Sequence, residues 1–399
     1  MRLPILAISI LVVLNVLIDW YIYRQIKRKS LRILHLLVSA LLLVLIIVAV
    51  ALPRRSIDNE GLVTIMWMLY WYFSVYIPKY LGMIFHGLAQ MPRLFHRKSL
   101  RALNYVGIVL SVGLFLSLVH GALVNSRQFI INHVDITLER LPKSFDGYRM
   151  VQFSDLHTGT YGSDTTFVAE VVDSINALRP DIILFTGDIV NRNTEELRPF
   201  LQTLSRLHSP GGVYSILGNH DYGDYMDWPT SSDKERNMQL LYKWQADMGW
   251  KMLNNSSTYL HNATDSIALI GVENWGDPPF PKYGDLNKAY PNGLCDGVCK
   301  ILMSHNPAHW TAEVTKYSNI DLTLSGHTHA MQMAIWLFGE MYSPSVWRYK
   351  QWGGLYTEDE EKESPQQIYV NIGLGEVGFP ARILAATPEI TLITLHSKK

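Results

Sequence analysis

From Tyr148 to His157 the chain reads YRMVQFSDLH, an apolar run of strand composition that stops at Ser154-Asp155-Leu156-His157. The same pattern returns four times. Residues 182–188 read IILFTGD, residues 213–221 read VYSILGNHD, residues 301–307 read ILMSHNP, and residues 322–329 read LTLSGHTH. Further β-branched runs stand at 267–272, 368–372 and 390–395. Between several of them lie segments of helical period, at 165–178, 195–207 and 235–249, with Pro180 and Gly211 as stop signals for the first two. Strands alternating with helices predict an α/β layered domain. In such sheets ligands bind beyond the carboxyl ends of the strands. The five strand ends therefore predict a rim built from Asp155, His157, Asp188, Asn219, His220, Asp221, His305, His327 and His329.

Each fragment alone is commonplace. A Gly-Asp after a strand is usually a turn, and a His before a Pro is usually a loop residue. Five such fragments in order, each at a strand end, are a different matter. His-x-His on an extended segment and Asn-His-Asp after a Gly both suit ligation better than packing.

The first third of the chain is another object. Residues 1–126 hold 13 Lys/Arg against 3 Asp/Glu, while the remainder holds 22 against 32, so the zero net charge of the 399 residues hides a split of +10 and −10. The domain boundary is read there, with 1–126 as a membrane region and 127–399 as a catalytic domain. Apolar runs at 3–23, 31–52, 62–85 and 103–124 each approach the ~20 residues that cross ~30 Å of hydrocarbon. The first is read as a retained anchor: it is long for a signal peptide, holds Asp19, and has no small-residue cleavage site after it. Arg24, Lys27, Arg28, Lys29 and Arg32 crowd the first loop, and Arg93, Arg97, Lys98 and Arg101 the third. In the second, Asp58 and Glu60 offset Arg54 and Arg55. Lys/Arg excess marks the cytoplasmic side. A multi-pass protein of the cell membrane follows, with its large C-terminal part on the extracytoplasmic face. Apart from Asp19 and Lys79, near span ends, no Asp, Glu, Lys or Arg sits mid-span, which favours anchoring over transport.

Composition excludes other classes. Hydrophobic residues at 48% exclude disorder, and two cysteines exclude a disulfide scaffold. Cys295 and Cys299 fit a pair or two free thiols equally. An acidic soluble part argues against nucleic acid as a partner. The acidic run 357–364 reads as a solvated loop. Aromatic clusters at 222–228, 275–290 and 331–356 fit either loop packing or an apolar rim against a bilayer or acyl chain. The oligomeric state is open.

The five blocks, over roughly 145–396, resemble the calcineurin-like metallophosphoesterase superfamily. The membrane-anchored subgroup related to UDP-2,3-diacylglucosamine hydrolase is the most similar, supported by His327–Gln332, Gly353–Tyr356 and Gly373–Arg382 followed by Pro388-Glu389-Ile390. Relatives commonly carry Gly-Gly where Ala330-Met331 stand here, and their simpler members have a single anchor. The resemblance implies a four-layer αββα sandwich behind the four transmembrane helices. It implies two metals, the first held by Asp155, His157, Asp188 and His329, the second by Asp188, Asn219, His305 and His327, with Asp188 shared. An N/O donor set suits Mn, Fe, Zn or Co over Ca or Mg, with manganese favoured. Two such ions ~3.5–4 Å apart activate water and clamp a phosphoryl group. His220 is then expected to stabilise charge or protonate the leaving oxygen, with Asp221 orienting its ring. Arg382 is expected either to contact the substrate phosphate or to lie on the surface.

The expected function is hydrolysis of a phosphoester or pyrophosphate bond, with a lipid-linked substrate such as a UDP-diacylglucosamine-like lipid as one candidate. The outward topology conflicts with cytoplasmic UDP-sugar lipids: either the orientation reading fails, or the substrate is another phosphoester outside the cytoplasm. Soluble nucleotide-type phosphodiesters are the alternative. A metal-stabilised membrane sensor without catalysis and a domain-gated transporter are weaker readings.

Overall fold

The computed structural model describes residues 5–278, 281–358 and 364–398. Most of the acidic run, 359–363, and positions 279–280 of the second aromatic cluster lie outside them. The chain forms two compact units, Met1–Ala122 with Gly378–Pro380, and Leu123–Val377 with Ala381–Lys399.

The first unit holds helices α1 (Ile5–Gln25), α2 (Lys29–Ala51), α3 (Asn59–Gln90) and α4 (Arg101–Leu123), all long and apolar enough to cross a membrane. Asp58 caps α3 by accepting the Gly61 N–H at 2.8 Å. Leu37, Ile47 and Val109 are exposed, as a lipid-facing surface requires, while Leu42, Ile46, Tyr72 and Tyr76 pack inward. Asp19 and Lys79 are not isolated. The Lys79 ammonium lies 2.7 Å from Asp19 Oδ1, and the Tyr76 hydroxyl donates to Oδ2 at 2.6 Å. Asn15 bonds Tyr72 and Tyr80 in the same layer. Asp19 of α1 and Lys79 of α3 thus neutralise each other inside the bundle.

The second unit contains strands β1 (Ile130–Leu138), β2 (Arg149–Phe153), β3 (Ile182–Phe185), β4 (Val213–Ser215), β5 (Trp250–Met252), β6 (Ser256–Asn262), β7 (Asp265–Gly271), β8 (Lys300–Met303), β9 (Leu322–Ser325), β10 (Met333–Leu337), β11 (Glu340–Tyr342), β12 (Gly354–Thr357), β13 (Gln367–Val370), β14 (Ile383–Leu384) and β15 (Glu389–Ser397). One sheet runs β1-β15-β2-β3-β4-β5 and the other β12-β13-β9-β8-β7-β6; a small third sheet runs β11-β10-β14. Period-2 alternation decides the layers. Val151 and Phe153 face helix α5 (Thr166–Ala177), meeting its Val168, Val171 and Ile175. Met150 faces the other way, with Ile182 and Leu184, onto Ile301, Met303 and Leu324 of the second sheet. Ile270 and Leu302 then cover that sheet's outer face with Trp310 and Val314. The result is helix, sheet, sheet, helix, as the resemblance implied.

All eight strands expected from composition form. The helix expected at 195–207 does not. Thr194–Phe200 is a 3-10 helix that continues into a single α turn, Leu201–Leu204. Pro199 lies inside it and withholds an N–H from the ladder. Cys295 is exposed and Cys299 buried, each a free thiol.

Candidate metal centre

The carboxyl ends of β2, β3 and β4 in one sheet, and of β8 and β9 in the other, release the chain at one rim. Backbone bonds tie those ends together. Asp155 N–H donates to Gly187 O at 2.9 Å, His157 N–H to Asp188 O at 3.1 Å, and Gly326 N–H to His305 O at 3.0 Å. The Gln152 amide crosses between sheets to Ser325 O at 2.9 Å. Asp155, His157, Asp188, His327 and His329 all hold φ between 47° and 75°. Left-handed backbone at five non-glycine residues is costly and collects where function demands a particular side-chain direction. Glycines make room for it: a Cβ on Gly218 would overlap the Asp188 carboxylate, and one on Gly326 that of Asp155.

The side chains converge in two groups, Asp155, His157 and His329, and Asp188, His305 and His327. In each, one ligand atom per residue lies within 4.8 Å of the others. Asp188 faces both groups, since its Oδ2 is 3.1 Å from His305 Nε2 and 3.6 Å from His157 Nε2. Asp155 Oδ1 is 3.2 Å from His329 Nε2. His305 donates Nδ1–H to Thr186 O at 2.8 Å, leaving Nε2 to the cluster, and His327 Nε2 meets the Tyr349 hydroxyl at 2.8 Å. Such outer bonds orient imidazole ligands. Asn219 gives its amide N–H to Tyr225 Oη at 2.9 Å; its side-chain oxygen is buried with no hydrogen-bond partner.

Electrostatics agree. Burial acts to raise the Asp155 carboxyl, but His329 and His305 outweigh it and hold it below its usual range. Asp188 is held well below, again against burial, by His305 and His220. Burial lowers His157, His327 and His329, the second to about 3, so those rings are neutral donors. His305 goes the other way. Burial lowers it, yet Asp188 and Asp155 lift it to about 9. Two carboxylates against one imidazolium leave a dry cluster short of positive charge, and the orphaned Asn219 oxygen lacks a donor or cation. The residues fit divalent metals.

Residues 148–331 match the family model of the calcineurin-like phosphoesterases, and residues 1–126 that of a probable calcineurin-like phosphoesterase transmembrane domain. The uncharacterized metallophosphoesterase YkuE of Bacillus subtilis is 34% identical over 263 residues, covering 64% of this chain and 82% of that protein. The chain is a calcineurin-like metallophosphoesterase. It is thus a metal-dependent phosphoric ester hydrolase with a membrane region. A Danio rerio transmembrane protein with metallophosphoesterase domain is 31% identical over 270 residues, 66% of this chain and 56% of that protein. The UDP-2,3-diacylglucosamine pyrophosphatase LpxG of Chlamydia muridarum is 28% identical over 298 residues, 64% of this chain and 86% of that protein.

Two expectations change in this metallophosphoesterase. Asp221 does not orient His220. Its buried carboxylate accepts N–H groups of Gly218, Asp188 and Ile189 at 2.8–2.9 Å, fastening two ligand loops, and burial with the nearby Asp188 charge pushes it up to about 7. The His220 ring instead gives Nδ1–H to the Asn191 carbonyl at 2.7 Å and stacks on Tyr225 at 4.3 Å. Arg382 is neither a surface residue nor placed toward solvent. It is fully buried, and its guanidinium bonds the carbonyls of Gly375, Ile372 and His329. Ala330 and Met331, where relatives carry glycines, hold φ of 51° and 46°, with Gln332 at 55°. Gln332 secures that strained turn by bonding Ala381 O at 2.8 Å and Val377 N–H at 2.6 Å. Tyr225, Tyr349 and Asn191 were not foreseen as supports. Two of them lay in aromatic clusters, and the third acts through its backbone.

The raised His305 imidazole predicts pH-dependent metal loading. Its pKa, raised from 6.5 to about 9, means that the metal-free site carries a proton there at neutral pH. Ligation must expel it. Titrating divalent manganese into chelator-stripped protein at pH 7.5 should therefore release about one proton from this group. Affinity should strengthen as pH rises toward 9 and weaken on acidification, read by calorimetry in buffers of different ionisation enthalpy.

Proposed function

We propose that Asp155, His157 and His329 with Asp188 hold one divalent cation, and Asp188, Asn219, His305 and His327 a second, in an enzyme that hydrolyses a lipid-linked phosphoester or pyrophosphate. The observation that carries the site is the convergence of two ligand groups on one Asp188 carboxylate. When bound, a cation pair would polarise a phosphoryl group and lower the pKa of water beside it. The chain's own residues do the rest. Asp188 and Asp155, kept ionised, fix where positive charge can sit. Asn219 supplies a neutral oxygen without adding negative charge near the phosphoryl group. His220, its Nδ1–H held by Asn191, turns Nε2 outward, where it can give a proton to the leaving oxygen. Tyr225 holds the ring at that angle.

The lipid-linked substrate rests on similarity to the Chlamydia pyrophosphatase and on four membrane-capable helices. The positive first and third loops support an extracytoplasmic catalytic unit, which makes the substrate a phosphoester of the outer side.

His220→Ala should retain its metals by elemental analysis and lose ~10²–10⁴ in kcat. Asp188→Ala should lose metal and activity together. A His220→Ala protein emptied of metal would make that residue a ligand. Given detergent-dispersed lipid pyrophosphates and cyclic nucleotides, the purified enzyme should prefer the lipids; preference for the nucleotide would end the lipid reading. In intact cells a membrane-impermeant maleimide should label exposed Cys295, and Cys295→Ser should abolish the signal. Labelling only after permeabilisation would place the catalytic unit inside.

A further inference from the structure

The third aromatic cluster divides. Tyr349 reaches His327, and Trp352 is buried. Tyr356 packs against the second sheet, and Trp336, Phe338, Tyr342 and Trp347 are exposed. Strands β10 and β11 form a hairpin whose tip is Phe338-Gly339, with φ of 54° and 88°. Ile335, Trp336, Leu337 and Phe338 are consecutive and all exposed, Trp336 at 62% and Phe338 at 100%; Trp347, which follows the hairpin in sequence, is at 86%. A half-buried strand shows alternation, with every second side chain polar and wet. Here Ala334 and Met341 pack onto the Trp352 cluster at the hairpin's root, while Ile335, Trp336, Leu337 and Phe338 toward its tip stay exposed among the described residues. Single exposed apolar residues are ordinary, but a contiguous patch marks a partner. The one charged residue from 333 to 342 is Glu340, and two cations follow Trp347: Arg348, ion-paired with Asp277, and Lys350. Aromatic side chains with cations alongside suit the headgroup layer, and a carboxylate near the tip limits the depth.

Connectivity names the partner. Helix α4 ends at Leu123. Asn125, the second residue beyond it, donates its amide to the carbonyls of Arg382 at 2.8 Å and Leu384 at 3.1 Å. Leu384 lies on β14, which pairs in parallel with β10, Met333 opposite Ile383 and Ala334 opposite Leu384. The hairpin is therefore one strand away from the residue at which the chain leaves its last membrane-capable helix. At its other root the hairpin joins the metal centre, since β10 begins four residues after His329 and Ser343, just beyond β11, bonds Ala330 O at 2.6 Å.

We propose that this hairpin, with Trp347, is an interfacial wedge that enters the headgroup layer of the bilayer spanned by the same chain and holds the metal centre's mouth to that surface. The assignment goes beyond the substrate reading and does not need it: a wedge could serve any phosphoester presented at the interface. It is tested on the full chain in nanodiscs of phosphatidylcholine and phosphatidylglycerol, in a Cys295→Ser background. An environment-sensitive fluorophore is attached at Phe338→Cys, with Lys243→Cys on an exposed helix as reference. Phe338 is fully exposed, so its replacement spares the core. The expected result is blue-shifted emission at 338 that brominated lipid quenches, with the label at 243 unshifted and unquenched. Emission at 338 like that at 243 overturns the proposal. A blue shift that brominated lipid leaves unquenched also overturns it, because protein, such as a second copy, would then cover the hairpin. Hydrolysis of a soluble nitrophenyl phosphodiester by the same samples reports the catalytic reading separately.

Discussion

Asp188 is the constraint around which the catalytic unit is built. Its carboxylate is buried, held ionised, and within 3.1–3.6 Å of imidazoles from two different sheets. A buried anion is tolerable only with compensation at close range. Around it the fold concentrates the donors that can accept a cation and excludes the water that would otherwise screen it. The strained backbone at the ligand positions, the glycines that make way for their carboxylates, and the Asp221 fastening between loops all follow from placing that one group there. Arg382 extends the same logic outward. By bonding three carbonyls it makes the loops after β9 and β13 move as one piece.

Much of this was legible in the sequence because strand ends carry chemistry in their residue types. Asp, Asn and His in Ser-Asp-x-His, Gly-Asp, Gly-Asn-His-Asp and Gly-His-Thr-His are rare together, and the apolar runs before them are buried on both faces, so they read as continuous strands. What escaped notice works differently. β1 mixes polar residues into an edge strand, IINHVDITL, with no uninterrupted apolar run. The Thr194–Phe200 segment had helical period but a proline within it. Asp221 carried the residue type of an orienting acid, yet its partners are main-chain N–H groups that no side-chain pattern reveals. Tyr225 and Tyr349 were visible only as members of aromatic clusters, where packing and function share one composition.

The membrane unit shows the same limit. Asp19 and Lys79 are far apart in sequence and each sat near a span end, so neither suggested the other. Their pairing is a long-range fact of how α1 meets α3. It removes the charge that would otherwise face hydrocarbon, and it agrees with helices that hold the enzyme in place.

The ring of His220 is aimed by a main-chain carbonyl, that of residue 191. Every amino acid supplies that oxygen, so exchanging Asn191 leaves the acceptor intact. What the asparagine side chain adds is a bond to Thr160 at 3.2 Å, a brace for the loop that carries the carbonyl. Genetic variation at this position should therefore act through loop shape, with graded effects, while the histidine keeps its hold. The aim of the ring is insulated from a whole class of single-letter changes.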